Sequence, residues 1–248
     1  MLTPARAARC AASIVLACLV TAPAARAAVE DPAARTRVTT LDNGLTILTL
    51  PDPTTPAVSF QLWVKVGSKD EARYTGLAHL FEHMMFRGTD QLPPESHERL
   101  IEGRGGRINA FTTADHTVYF AVVAPDALPL VIELEAERLA NLQIDEETLA
   151  SERQVVLEER RLRTEDQPTG RVFEALLNLT FMAHPYRVPV IGWRSDIEQV
   201  TVEVCRDFFR TYYAPNNIVL SISGAFDEDD ALARVRRAFG GLAPAEEI

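Results

Sequence analysis

The 248-residue chain reads as an α+β protein, with helices packed on one face of a largely antiparallel sheet. Two patterns point there. Short runs alternate apolar and polar residues between turn-forming residues, the mark of strands with one buried face. Other stretches place apolar residues three and four apart, the mark of amphipathic helices. An apolar share of 47% supports a real core, and neither internal repeats nor low-complexity runs are evident.

Val38-Thr39-Thr40-Leu41 and Leu45 to Leu50 flank Asp42-Asn43-Gly44, a strong hairpin signal. Pro51, Pro53 and Pro56 end it. From Ala57 to Val66, Val58, Phe60, Leu62, Val64 and Val66 alternate with polar residues, giving a strand. Thr75-Gly76 opens a helix that Gly88 closes, and Pro93-Pro94 starts a short helix through Ile101. Two β-type runs follow Gly103, Gly105 and Gly106: Ile108 to Thr112, and Thr117 to Val123. Three helices come next. Asp126 is the expected cap of the first and Asp145 of the second, which runs to about Glu165 before Pro168. The third spans Thr169 to Met182, with Val172, Phe173, Leu176 and Leu179 at helical spacing. After a proline-containing loop, Thr201 to Tyr213 is helix, Asn217 to Gly224 strand and Asp227 to Phe239 helix.

The first 27 residues stand apart. Arg6 and Arg9 precede an uncharged run, Cys10 to Ala25, and Ala25-Arg26-Ala27 supplies an A-x-A cleavage pattern. That combination reads as a secretory signal peptide, too short for a confident membrane span. It implies an exported, periplasmic or secreted chain of residues 28–248. Cleavage after Ala27 would take Arg6, Arg9 and Arg26 with it, leaving 22 basic against 35 acidic residues, a balance of −13. A surface that acidic argues against nucleic acid as a partner. Only Cys205 would remain of the three cysteines, so no internal disulfide is expected.

The chemistry concentrates in Gly76 to Phe86, which contains His79-Leu80-Phe81-Glu82-His83. At about 100° per residue, His79, Glu82 and His83 share one helix face. Two imidazoles one turn apart are suited to gripping a metal ion, zinc being the usual choice, and a carboxylate beside them can act as a base. The order H-x-x-E-H inverts the commoner H-E-x-x-H and marks the inverzincin peptidases. A catalytic zinc takes three protein ligands, so one is missing. On the downstream helix Leu149, Glu152, Val156 and Glu159 fall on a common face, whereas Glu158 lies off it. A carboxylate on a packing face is costly unless it meets a cation. The same segment is rich in charge and reads equally well as a solvated helix.

Gly76-Leu77-Ala78-His79-Leu80-Phe81-Glu82-His83-Met84-Met85-Phe86-Arg87-Gly88-Thr89 resembles, almost residue for residue, the motif of the pitrilysin, insulysin and mitochondrial processing peptidase family. The match is closest to the bacterial processing-peptidase-like branch and covers about Val38 to Phe239. The resemblance implies a zinc endopeptidase with one Zn²⁺ per chain, His79 and His83 as ligands and Glu82 as catalytic base. Glu152-Arg153-Gln154-Val155-Val156-Leu157-Glu158-Glu159 matches the family's E-R-x-V-V-x-x-E, which implies Glu159 as third ligand and Glu152 as an auxiliary catalytic acid. Gly106 to Thr112 resembles the edge strand that takes the substrate peptide as an added strand, with Asn109 and Ala110 as the matched positions. His184 lies in a family-like loop and reads as structural. Residues 28–248 correspond to a single N-terminal catalytic domain, and the resemblance implies a second homologous domain or subunit, or self-association, as a partner. The family's substrate-steadying Arg and Tyr come from that later domain and have no counterpart here. The alternative reading is a partner-dependent half-enzyme or a non-catalytic peptide-binding subunit.

Overall fold

The computed structural model describes residues 31–246 and 248; the signal-peptide expectation falls outside them. The described part of a first unit holds one helical turn, Pro32–Arg35. The second unit, Thr36–Ile248, carries everything that follows.

Six strands form one sheet: β1 (Arg37–Thr40), β2 (Thr46–Pro51), β3 (Val58–Val64), β4 (Arg107–Thr112), β5 (Thr117–Val123) and β6 (Ile218–Gly224). Their order is β1-β2-β6-β3-β5-β4. β2 and β6 run parallel, and the other neighbours are antiparallel, as the alternating patterns imply. The β1–β2 hairpin closes around Gly44, whose φ of +86° suits a residue without Cβ. Asn43 beside it donates to the Phe239 and Leu242 carbonyls, tying the turn to the far end of the chain.

Among the described residues, seven helices of seven or more residues accompany the sheet: α1 (Leu77–Met84), α2 (Ser96–Glu102), α3 (Leu128–Asn141), α4 (Glu146–Arg160), α5 (Pro168–Thr180), α6 (Val202–Tyr212) and α7 (Glu228–Phe239). The centre of one sheet face is fully buried, with Val58, Phe60, Leu62 and Val64 of β3 beside Ile218, Leu220 and Ile222 of β6. Val131 and Ile132 of α3, Leu80 and Phe81 of α1, and Val235 and Phe239 of α7 complete the same core. At about 25 cal/mol per Å² of apolar surface, this burial is the main favourable contribution to folding.

One expectation needs correction, and two helices differ in detail. Asp126 caps nothing: it lies in a 3₁₀ turn, Pro125–Ala127, and the α3 N-terminus has no side-chain cap. A proline at its start already removes one of the N–H groups a cap would serve. The second long helix stays α-helical only to Arg160 and then widens into a π-helical turn, Arg161–Glu165. The apolar positions of the third, Val172, Phe173, Leu176 and Leu179, are exposed, and no residue of α5 is buried. Helical spacing marks a face, but a face becomes core only where another element covers it. Asp145, by contrast, caps α4 as expected, accepting from the Thr148 N–H at 2.8 Å.

Candidate active site

α1 begins at Gly76, which adopts φ +90° beneath the loop carrying Ile191. A Cβ there would lie 2.8 Å from the Ile191 carbonyl oxygen, so the position needs glycine both for conformation and for space. The free N–H groups of the first turn are taken by Glu71, whose carboxylate accepts from Gly76 at 2.7 Å and Ala78 at 2.8 Å. Thr75 donates to Asp196 and accepts from the Trp193 N–H, locking the same end. The helix is thus held at its N-terminus by residues of two segments, 71–75 and 191–196.

Its apolar side, with Leu80, Phe81 and Met84, enters the core. The other side faces α4. There His79, His83 and Glu159 converge, offering three donor atoms within 4.8 Å of one another. Glu159 Oε2 lies 3.6 Å from His79 Nε2 and 3.3 Å from His83 Nε2. Glu152, two α4 turns earlier, is fully buried and sits behind this trio, with Oε2 3.6 Å from His83 Nδ1. Arg87 Nε approaches its other oxygen at 2.5 Å. Neither oxygen of Glu152 meets hydrogen-bond geometry, so charge balance with Arg87 and His83 is what offsets its burial.

The electrostatics follow from this packing. Burial, reinforced by the neighbouring His83 charge, lowers His79 to about 4. Burial also opposes charge on His83, but Glu152 and Glu159 outweigh it and raise that imidazole to about 9. The Glu159 carboxyl is held below its ordinary range, chiefly by its bond with His83. The opposed shifts of the two imidazoles reflect how closely these groups are packed. A positive charge belongs at this point, and two imidazole nitrogens with a carboxylate oxygen are a suitable donor set for zinc. One detail departs from the usual pattern: His79 Nδ1 is buried with no acceptor among the described residues.

Glu82 stands on the same helix face, half-buried. Thr112 Oγ1 of β4 donates to its Oε2 at 2.6 Å. Burial raises the Glu82 carboxyl above its ordinary value, although the Thr112 bond pulls the other way. β4 is the edge strand of the sheet, and Asn109 and Ala110 lie on it next to the site. The Ala110 N–H points away from β5 and is covered by Asn109 Oδ1 at 2.9 Å. Asn109 and Ala110 share a cleft of about 260 Å³ with Glu82, His83, Glu152 and Arg87. His79, Glu82, His83, Asn109, Ala110, Glu152 and Glu159 are thus brought to one place. Glu158 points to solvent against Arg161, and His184 caps a 3₁₀ turn by accepting from the Tyr186 N–H.

Four contributors had no assigned role in the sequence reading: Glu71, Arg87, Thr112 and Arg163, whose Nη1 lies 2.5 Å from Glu159 Oε1. Arg87 and Arg163 each follow a site residue by four positions, so helical spacing held a signal for both. Thr112 follows Ala110 by two and shares its strand face. Glu71 carried no local signal, because its role depends on a loop folding back over the helix end.

The chain is similar to known peptidases. Residues 46–193 match the model described as insulinase (peptidase family M16), and residues 199–247 match that of the peptidase M16 inactive domain. The second segment supplies α6, the central strand β6 and α7 to the sheet described above. An uncharacterized zinc protease of Mycobacterium tuberculosis is 35% identical over 218 residues, covering 87% of this chain and 50% of the relative. The crystal structure of a protease from Helicobacter pylori superposes with a TM-score of 0.83 at 31% identity, covering 86% of this chain and 52% of that one. The first half of the periplasmic protease PqqL from Escherichia coli gives a TM-score of 0.77 at 27% identity, with 86% and 47% covered. The chain spans about half the length of the curated relatives it matches. By motif, site geometry, fold and sequence similarity, the chain belongs to the insulinase family of peptidases, M16.

Proposed function

We propose that this chain is the catalytic half of a zinc-dependent endopeptidase that cleaves extended or unfolded peptides. The observation that carries the reading is the placement of Glu82 on the same helix face as the His79–His83–Glu159 donor cluster, with a hydrogen bond to the edge strand. His79 Nε2, His83 Nε2 and a Glu159 oxygen would hold the metal. When bound, zinc supplies Lewis acidity, lowering the pKa of a coordinated water and balancing negative charge on the reacting carbonyl.

The protein's own groups do the rest. Glu82 takes the proton of the attacking water and passes it to the leaving amine, with Thr112 fixing the carboxylate's orientation. Glu152 sets the His83 ring through Nδ1, acting through that ligand rather than on the substrate. The peptide adds to the open edge of β4, and the Ala110 N–H becomes available when the Asn109 side chain swings aside.

A partner belongs to this proposal: a second homologous domain or subunit, or a second copy, completing the substrate chamber. The support is that relatives are about twice as long. Export of the chain, read from residues 1–27, is likewise proposed; an intact Met1 on protein isolated from cells would reject it.

The test is direct. Glu82→Gln should retain one zinc per chain and lose at least about 10²-fold in kcat/KM on a peptide substrate. Chelation should abolish cleavage, and added Zn²⁺ should restore it. Cleavage by Glu82→Gln at the wild-type rate overturns the assignment.

A further inference from the structure

The three donors of the metal cluster come from two helices, His79 and His83 from α1 and Glu159 from α4. A ligand set divided in this way works only if the helices keep one separation, to within about 0.5 Å. A single peptide unit connects them. The Gly192 carbonyl accepts from Arg160 Nη1 at 2.8 Å, and the Trp193 N–H of the same peptide donates to Thr75 Oγ1 at 2.8 Å. Arg160 is the last residue of α4 and adjoins Glu159 in the chain. Thr75 precedes the Gly76 that starts α1 and stands four positions before His79. A trans peptide is planar, with its C=O and N–H pointing in opposite directions. The Gly192–Trp193 unit therefore lies between the two helix ends as a rigid bar with a hydrogen bond at each end.

Both ends are anchored. Arg160 is 5% exposed, its guanidinium lies 5.6 Å from the centre of the Trp193 ring, and Glu174 of α5 approaches its Nη1 at 2.9 Å. A guanidinium so buried needs its charge balanced in place, which ties it to that carboxylate. At the other end Thr75 Oγ1 accepts from Trp193 and donates to Asp196 Oδ2 at 2.8 Å, and the Thr75 N–H donates to the same oxygen at 3.1 Å. A Cβ on Gly192 would lie 2.5 Å from Gly76 Cα, so loop and helix start meet backbone to backbone. We infer that the Gly192–Trp193 peptide is a strut that sets the separation of the two ligand-bearing helices, which makes Arg160 and Thr75 positioning residues for metal binding. This builds on the reading of His79, His83 and Glu159 as zinc ligands. Arg160 acts on Glu159 through the α4 backbone, and Thr75 acts on His79 through the first turn of α1. Cutting the strut at either end lets the helices shift, and Glu159 Oε2 no longer keeps its 3.6 Å and 3.3 Å from the two imidazoles.

The full chain is titrated with zinc against a chromophoric chelator, and the cobalt(II)-loaded chain is followed by visible absorption, which reports ligand geometry. Arg160→Met and Thr75→Val should each raise the zinc Kd at least about tenfold, the lower end of the loss seen when groups that orient metal ligands are removed. Their cobalt spectra should shift from that of wild type. Charge alone has the opposite sign: taking a cation away from the neighbourhood of a metal site tightens metal binding. The double variant should raise Kd by less than the product of the single effects, because a strut cut at one end transmits nothing from the other. Glu174→Gln is the stability control. It removes a charge partner of Arg160 and leaves both hydrogen bonds of the peptide, so it should lower the urea midpoint and keep the wild-type zinc Kd.

A wild-type Kd and cobalt spectrum in folded Arg160→Met and Thr75→Val overturn the strut. So do single effects that multiply in the double variant, and so does a rise in Kd for Glu174→Gln equal to that for Arg160→Met, which would trace the loss to stability. In each of these cases the zinc reading of the three donors stands. Absence of zinc binding by the wild type rejects the donor cluster itself, and the strut with it. Should Arg160→Met not fold, Thr75→Val decides by the same two readouts.

Discussion

Arg138 and Glu135 form a buried charge pair, each 1% exposed, bonded at 2.6 Å and joined by His97 at 3.2 Å. Arg138 also stacks over Phe86 and Tyr119, so the network supports the floor of the cleft. Its titration gives a pH dependence. Burial and the Arg138 charge lower the His97 pKa, so the unfolded chain takes up a proton near pH 6.5 that the folded chain refuses. Burial raises the Glu135 carboxyl, but Arg138 and His97 outweigh it and hold it below its ordinary value. Both shifts carry the same sign. Stability from His97 is complete above about pH 6.5 and falls on acidification; that from Glu135 is complete above about 4.5 and falls below it. Urea midpoints at pH 7.5 and 5.5 should therefore drop for wild type, and drop less for His97→Gln. Equal slopes would show that His97 is not the group responsible. None of this was legible in the sequence, where His97, Glu135 and Arg138 read as ordinary polar positions on two separate helices.

At the level of elements, α1 and α4 contain most of the chemistry, and both were visible in the chain. The H-x-x-E-H spacing placed His79, Glu82 and His83 on one face because helical rotation is set by the backbone alone. α4 was ambiguous: a solvated, charge-rich helix and a packing helix with two inward acids have similar patterns. Structure resolves it in favour of both, on different faces. Leu149, Glu152 and Val156 are buried, while Glu158 faces solvent with Arg161. What the two-helix site needs most is a fixed start for α1. Gly76→Ala places a Cβ in a left-handed conformation and against the Ile191 carbonyl. It should cost about 1–3 kcal/mol in unfolding free energy and weaken zinc retention in the same preparation. An unchanged urea midpoint would show that the α1 start tolerates a side chain.

Over the whole molecule, burial is uneven. The sheet and α1, α3, α6 and α7 share one continuous core, whereas α5 stands outside it with Val172 at 67% and Leu179 at 79% exposure. Val172→Asp combined with Leu179→Asp should change stability by less than about 0.5 kcal/mol, as exposed substitutions do. Leu149→Ala on α4 should cost about 2–5 kcal/mol. A large loss in the double variant would mean that the α5 face is covered in solution. The residue pattern alone settled the α+β class, the strand and helix sequence, and the donor types near His79, because periodicity and side-chain chemistry are local properties. Which apolar stripe becomes core, how Thr112, Arg87, Arg163 and Glu71 reach the site, and where the edge of the sheet lies were decided only by tertiary structure. Those depend on contacts between residues far apart in the chain, and a stripe at helical spacing looks the same whether or not anything packs against it.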